Sequence, residues 1–112
     1  TVIISDGKVG VDFESNSDKC FRIKQKFLGI ENEFPMKIDW KIAQVIWNMK
    51  ESIFKMMDSK EIDFKENFIV IPFSWNEKQT KIWFVKNELS RVYNVNYFIN
   101  KNYSLAYIIN KQ

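Results

Sequence analysis

Few residues in this chain could do chemistry. Asp58, Glu61, Asp63 and Glu66 lie close together, and Asp63-Phe64-Lys65 has the D-x-K form seen in some metal-dependent nucleases. Carboxylates offer the oxygen ligands Mg²⁺ prefers, and a neighbouring lysine can stabilise developing negative charge. These acids also alternate with Lys60 and Lys65, which is the pattern of a solvated charged loop. The loop reading is adopted, with a metal-dependent enzyme kept as the third alternative. Cys20 has Lys19 and Arg22 nearby and could be a nucleophile only if something lowered its pKa. A lone cysteine is more often a small buried thiol.

Absences weigh more. The chain has no histidine, which removes the usual base near neutral pH, the Ser-His and Cys-His pairs, and the commonest metal ligand. One cysteine without histidine makes no zinc site. The three glycines, Gly7, Gly10 and Gly29, form no phosphate-cradling motif. The expectation is a non-enzymatic chain with no catalytic residue, no metal and no cofactor.

Two residue sets remain as binding candidates. Lys19, Arg22, Lys24 and Lys26 form a basic stretch. As a strand, its last three cations would share one face about 7 Å apart, near the spacing of successive phosphates. Phe21 and Phe27 would then point away from the cations, so base stacking finds no support there. A solvated strand face is the plainer reading, and nucleic-acid binding is the runner-up function. The second set is aromatic. With 10 Phe, 4 Trp and 4 Tyr, rings make up 16% of the chain. Trp40, Trp47 and Phe54 recur every seven residues on one helix flank. Tyr93 and Tyr97 would share sheet faces with Tyr103 and Tyr107 if the last two strands pair in simple register. Such rings either fill a core or form a protein interface, where Trp and Tyr concentrate.

The elements that position these residues follow from periodicity. Ile38 to Met57 reads as one long helix, about residues 39–58, capped by Asp39, with Ile38 as a possible staple. Ile42, Val45, Ile46, Met49, Ile53, Met56 and Met57 fall on one side, while Lys41, Gln44, Asn48, Glu51 and Lys55 face water. The apolar arc covers nearly half the circumference, more than one covering layer requires. Before the helix, Val2–Ser5 and Val9–Phe13 flank the hairpin signal Asp6-Gly7. Phe21, Ile23 and Phe27 alternate with cations as a third strand, with a helix from near Ser17 as the alternative. After it, Asn67–Trp75, Lys81–Lys86, Tyr93–Ile99 and Tyr103–Ile109 read as a four-stranded meander. Pro72 confines its first strand to an edge or a bulge.

Segregated elements of this kind make an α+β fold: an N-terminal hairpin and C-terminal meander in a mainly antiparallel sheet, packed on one central helix. One domain spans 1–112. A net charge of +3 from 17 Lys and Arg against 14 acids is too mild for a dedicated nucleic-acid binder. No apolar run approaches a membrane span. The N-terminus lacks a signal-peptide pattern, and a single cysteine favours a reducing, cytoplasmic setting. The function expected is binding of another protein, as an inhibitor or an immunity or anti-defence antagonist of a toxin, nuclease or host enzyme. A homodimer is the other possible partnership.

Overall fold

The computed structural model describes residues 8–57 and 61–110. Val2–Ser5, the Asp6-Gly7 turn and Asp58 lie outside the described residues. The chain runs β1 (Lys8–Ser15), α1 (Lys19–Arg22), two 3-10 turns (Lys24–Lys26 and Ile30–Glu33) and α2 (Trp40–Met56). It continues through α3 (Phe64–Asn67), β2 (Phe68–Val70), β3 (Gln79–Lys86), β4 (Leu89–Ile99) and β5 (Tyr103–Asn110). The strands form one antiparallel sheet in the order β1-β5-β4-β3-β2, with α2 packed across one face. The fold is α+β, as the periodicity implied.

α2 starts where Asp39 stands in extended backbone and its carboxylate accepts the Ile42 N–H at 2.9 Å. It stops at Met57, whose backbone returns to the extended region. The four-stranded meander is present, joined by turns at Asn87–Glu88 and Asn100–Asn102. Its first strand is short. The ladder continues to Ile71, whose N–H reaches the Lys81 carbonyl, and ends at Pro72, which has no N–H to give.

Residues 19–27 form a short helix and a 3-10 turn, which corrects the strand reading. Arg22 N–H bonds to Asp18 O and Leu28 N–H to Lys24 O, so local turns satisfy this backbone without a sheet partner. Cys20, Phe27 and Leu28 turn inward onto the core. These turns give α2 a second cover besides the sheet, which accounts for its wide buried arc.

A second correction concerns the polar side of α2. Gln44 and Asn48, expected in water, are buried against β1 and β5. Gln44 Nε2 donates to Ser104 Oγ at 2.7 Å and to Asn16 Oδ1 at 2.9 Å. Ser104 Oγ donates to Asn48 Oδ1, and Asn48 Nδ2 donates to Asp12 Oδ2 at 2.9 Å. Lys55 Nζ closes the series on Asp12 Oδ1 at 2.7 Å. Among the described residues no buried side-chain polar atom lacks a partner, so this ladder adds registry without a desolvation penalty left open.

Gly10 makes the close approach possible. A Cβ at that position would stand 1.8 Å from the Ser52 carbonyl oxygen. α2 therefore lies backbone-to-backbone on β1.

A candidate protein-binding face

Gly10 and Asp12 toward the helix mean that Val9, Val11 and Phe13 point the other way. Side chains alternate along a strand, and the pairing register carries the alternation across the sheet. Val11 is opposite Tyr107, Phe13 opposite Leu105, and Leu105 opposite Phe98. On the far half, Trp83 is opposite both Val92 and Ile69. The outer face thus carries two apolar patches. The first holds Val11, Phe13, Phe98, Tyr103, Leu105 and Tyr107. The second holds Ile69, Trp83, Val85 and Val92.

Between them runs a polar stripe. Asn96 is opposite both Tyr107 and Gln79, and Asn94 is opposite Lys81. Gln79 Nε2 donates to Asn96 Oδ1 at 3.1 Å. No strand residue on this face is acidic, and Lys81 is its one charge, counted over β1–β5.

Most of the outer face is exposed or half-exposed, with Leu105 buried beneath its neighbours. Phe13 keeps 56% of its surface in solvent, Phe98 47%, Val92 42% and Trp83 39%. The rings are ordered around Tyr103, whose centroid lies 4.9 Å from Phe13 and 6.0 Å from Phe98. Scattered exposed apolar residues are ordinary, but contiguous patches mark interaction surfaces.

The structure distributes the sequence-nominated aromatics differently. Tyr97 is 4% exposed, opposite Ala106 on the helix side, with its hydroxyl donating to the Ser74 carbonyl. Burial raises its phenol pKa. Tyr93 also faces inward and packs on the core. Tyr103 and Tyr107 lie on the opposite face, so the four tyrosines do not share one side. Trp47 is half-buried between Phe27 and Phe64 at 5.3 and 5.6 Å, and Phe54 meets Phe64 at 5.2 Å. These rings join α2 to its covering turns. Trp40 stands alone of the five, lining an open cleft of about 640 Å³ with Asn16, Lys41, Asn100 and Lys101.

The basic set does not form a strand rank. Arg22 pairs with Asp18 at 3.2 Å, and Lys24 sits over the Phe21 ring at 3.8 Å. Lys19 and Lys26 are exposed on separate turns. The even 7 Å spacing therefore has no structural basis. Asp63 serves as the N-cap of α3, accepting from Lys65 N at 2.8 Å. Among the described residues no three Cys, Asp or Glu side chains gather as a metal site. Cys20 is buried, and burial foremost pushes its thiol from 9.0 up to about 11, the wrong direction for a nucleophile.

Phe13, Trp83, Val92 and Phe98 were not nominated from the sequence. The available signal was Gly10, the only strand glycine among the described residues, which marks where a strand lets another backbone approach. No family model, curated protein or solved structure matches this chain. No helix among the described residues is long and apolar enough to cross a membrane.

Proposed function

We propose that this chain works by binding protein through the outer face of its sheet and carries no catalytic chemistry of its own. One observation supports the reading above the rest: β1 turns its apolar side, Val11 and Phe13, to solvent and its polar side, Asp12, to the helix. Period-2 patterning alone would place them the other way. A strand that spends its apolar side outward has a use for it there. An aromatic, nearly uncharged face is also the composition of an interface centre. Covering the working surface of a toxin, nuclease or host enzyme is how such a face would inhibit it.

The test is affinity capture at low and raised salt, with and without nuclease, using wild-type bait, a double variant Phe13→Glu/Phe98→Glu, and an alanine variant of Lys19, Arg22, Lys24 and Lys26. A protein retained through salt and nuclease, and lost only with the face variant, is the expected result. Retention that instead falls with salt and follows the basic set would overturn the reading in favour of nucleic acid.

A further inference from the structure

We infer that the occupant of this face, in the absence of any target, is a second copy of the same chain. The inference rests on the reading of the face as a protein-binding surface and names what covers it.

The face is self-complementary in three respects. A two-fold axis makes each residue on it meet its own copy. A charge in that position would meet a like charge. The strands contribute no acid to this face and one cation, Lys81, whose flexible stem can carry its ammonium outward to water. Apart from Lys81, the midline residues are amides, Asn94, Asn96 and Gln79. An amide both donates and accepts, so it can bond to itself across an axis.

The two apolar patches lie on either side of that stripe. A two-fold axis parallel to the sheet and running along the stripe exchanges its sides. The Phe13–Phe98 patch of one copy then covers the Trp83–Val92 patch of the other, and each stripe lies on its counterpart. The size is adequate. Four strands of 8 residues or more, at about 4.8 Å spacing and about 3.3 Å per residue, span roughly 500 Å² before side-chain relief is counted. Relief brings the accessible area toward the roughly 800 Å² per partner of a standard interface. Two such sheets would form an aligned sandwich about 10 Å apart, with one helix on each outer side.

The experiment is analytical ultracentrifugation of the whole chain from low to high micromolar concentration. Three variants accompany it: Phe98→Glu in one patch, Trp83→Lys in the other, and Val92→Lys in case Trp83→Lys disturbs folding. Far-UV circular dichroism checks each fold. The wild type is expected at twice the chain mass. Each variant should weaken the dimer by about 30-fold or more, the loss typical of an interface hot spot. Phe98→Glu mixed with Trp83→Lys should restore a mixed dimer, because the new charges would face each other. A wild type that stays monomeric throughout overturns the inference, as does a dimer that neither patch variant weakens. Failure of the mixture to pair overturns the patch-on-patch arrangement. If the monomeric wild type still captures a target through this face, the binding reading stands while this inference falls.

Discussion

Glu31 is the perturbation that reaches furthest into this fold. Its carboxylate is fully buried and 2.8 Å from the ammonium of Lys50, itself fully buried on α2. Lys50 Nζ spends its other two protons on the Phe27 carbonyl at 2.6 Å and the Phe64 carbonyl at 2.8 Å. Glu31 accepts the Gly29 N–H on one oxygen and the Val70 N–H on the other, both at 2.9 Å. One ion pair thus ties the turns before α2, the helix itself, α3 and β2. Glu31→Gln keeps the shape but leaves the cation without its counter-charge, and the amide's NH₂ must face a donor. Breaking a buried pair in this way costs about 3–5 kcal/mol, a large part of the 5–15 kcal/mol typical of a domain. At about 4 °C per kcal/mol for a chain near this size, the melting temperature should fall by roughly 12–20 °C. Lys50→Met should cost about as much, since it strands the carboxylate and two carbonyls. The double variant buries no charge and should lose at least about 2 kcal/mol less than the sum. Urea unfolding followed by tryptophan fluorescence measures all three. A Glu31→Gln loss within about 0.5 kcal/mol, the size of an ordinary surface change, would refute the pair's role, as would strict additivity.

Gly10→Ala should be the most damaging single methyl addition. Its Cβ would meet Ser52 O at 1.8 Å, against 2.6 Å from Lys65 O for Gly29→Ala, so α2 must lift off β1. Overpacking of about 1–3 kcal/mol plus a loosened Asn48–Asp12 bond should give a loss of about 3 kcal/mol in denaturant melts. Cys20 titrates in alkali with a definite sign. Its folded pKa is raised from 9.0 to about 11, so the unfolded chain gives up its proton first. The stability of wild type relative to Cys20→Ala should hold below pH 9 and fall between pH 9 and 11, by up to about 3 kcal/mol. A flat difference across that window would place the thiol in contact with solvent. Asn48→Leu should cost about 1–3 kcal/mol despite its apolar gain, because Asp12 and Ser104 each lose a buried partner. A neutral or stabilising result would show that the polar ladder is dispensable.

Much of the fold was legible in sequence because local signals and packing agreed. The helix showed through Ile, Val and Met recurring at helical spacing and a capping Asp39, and its observed ends, Trp40 and Met56, lie within two residues of the expected ones. The meander showed through alternation in Lys81–Lys86, Tyr93–Ile99 and Tyr103–Ile109. Residues 19–27 went the other way because Ile23 and Phe27 fit both periods, alternating with Phe21 as a strand and spaced with Ile30 as a helix. The deciding fact was non-local: the sheet has β5 beside β1, and α2 wanted a second cover. The candidate face was harder to read. Hydrophobic patterning says which residues share a side of a strand but not which side meets the helix. That choice is made by groups far apart in sequence: Asp12 with Asn48 and Lys55, Ser104 with Gln44, and Gly10 with the Ser52 carbonyl. Lys50 escaped for the same reason, since its partner Glu31 lies in a separate turn.

The arrangement of β1 bears on why the outer face is left apolar. Turning the strand over would bury Val11 and Phe13 and expose Asp12, which is worth about 1.5–3 kcal/mol for each large side chain. The opposing gain is the two bonds Asp12 accepts from Asn48 and Lys55, together worth about 3 kcal/mol because the acceptor is charged, with the backbone contact at Gly10 beside them. For an isolated chain these nearly balance, and neither orientation would be strongly preferred. Covering the outer face shifts the balance, because Phe13, Phe98 and their neighbours then recover the burial they forgo. The polar inner side and the apolar outer side are therefore one feature seen from two directions. If so, binding at the outer face should stabilise the inner ladder. Amide hydrogen exchange at Asp12 and Ser104 should slow when the face is covered and speed up in Phe98→Glu. Exchange that is indifferent to the state of the outer face would separate the two features and leave the orientation of β1 to the ladder alone.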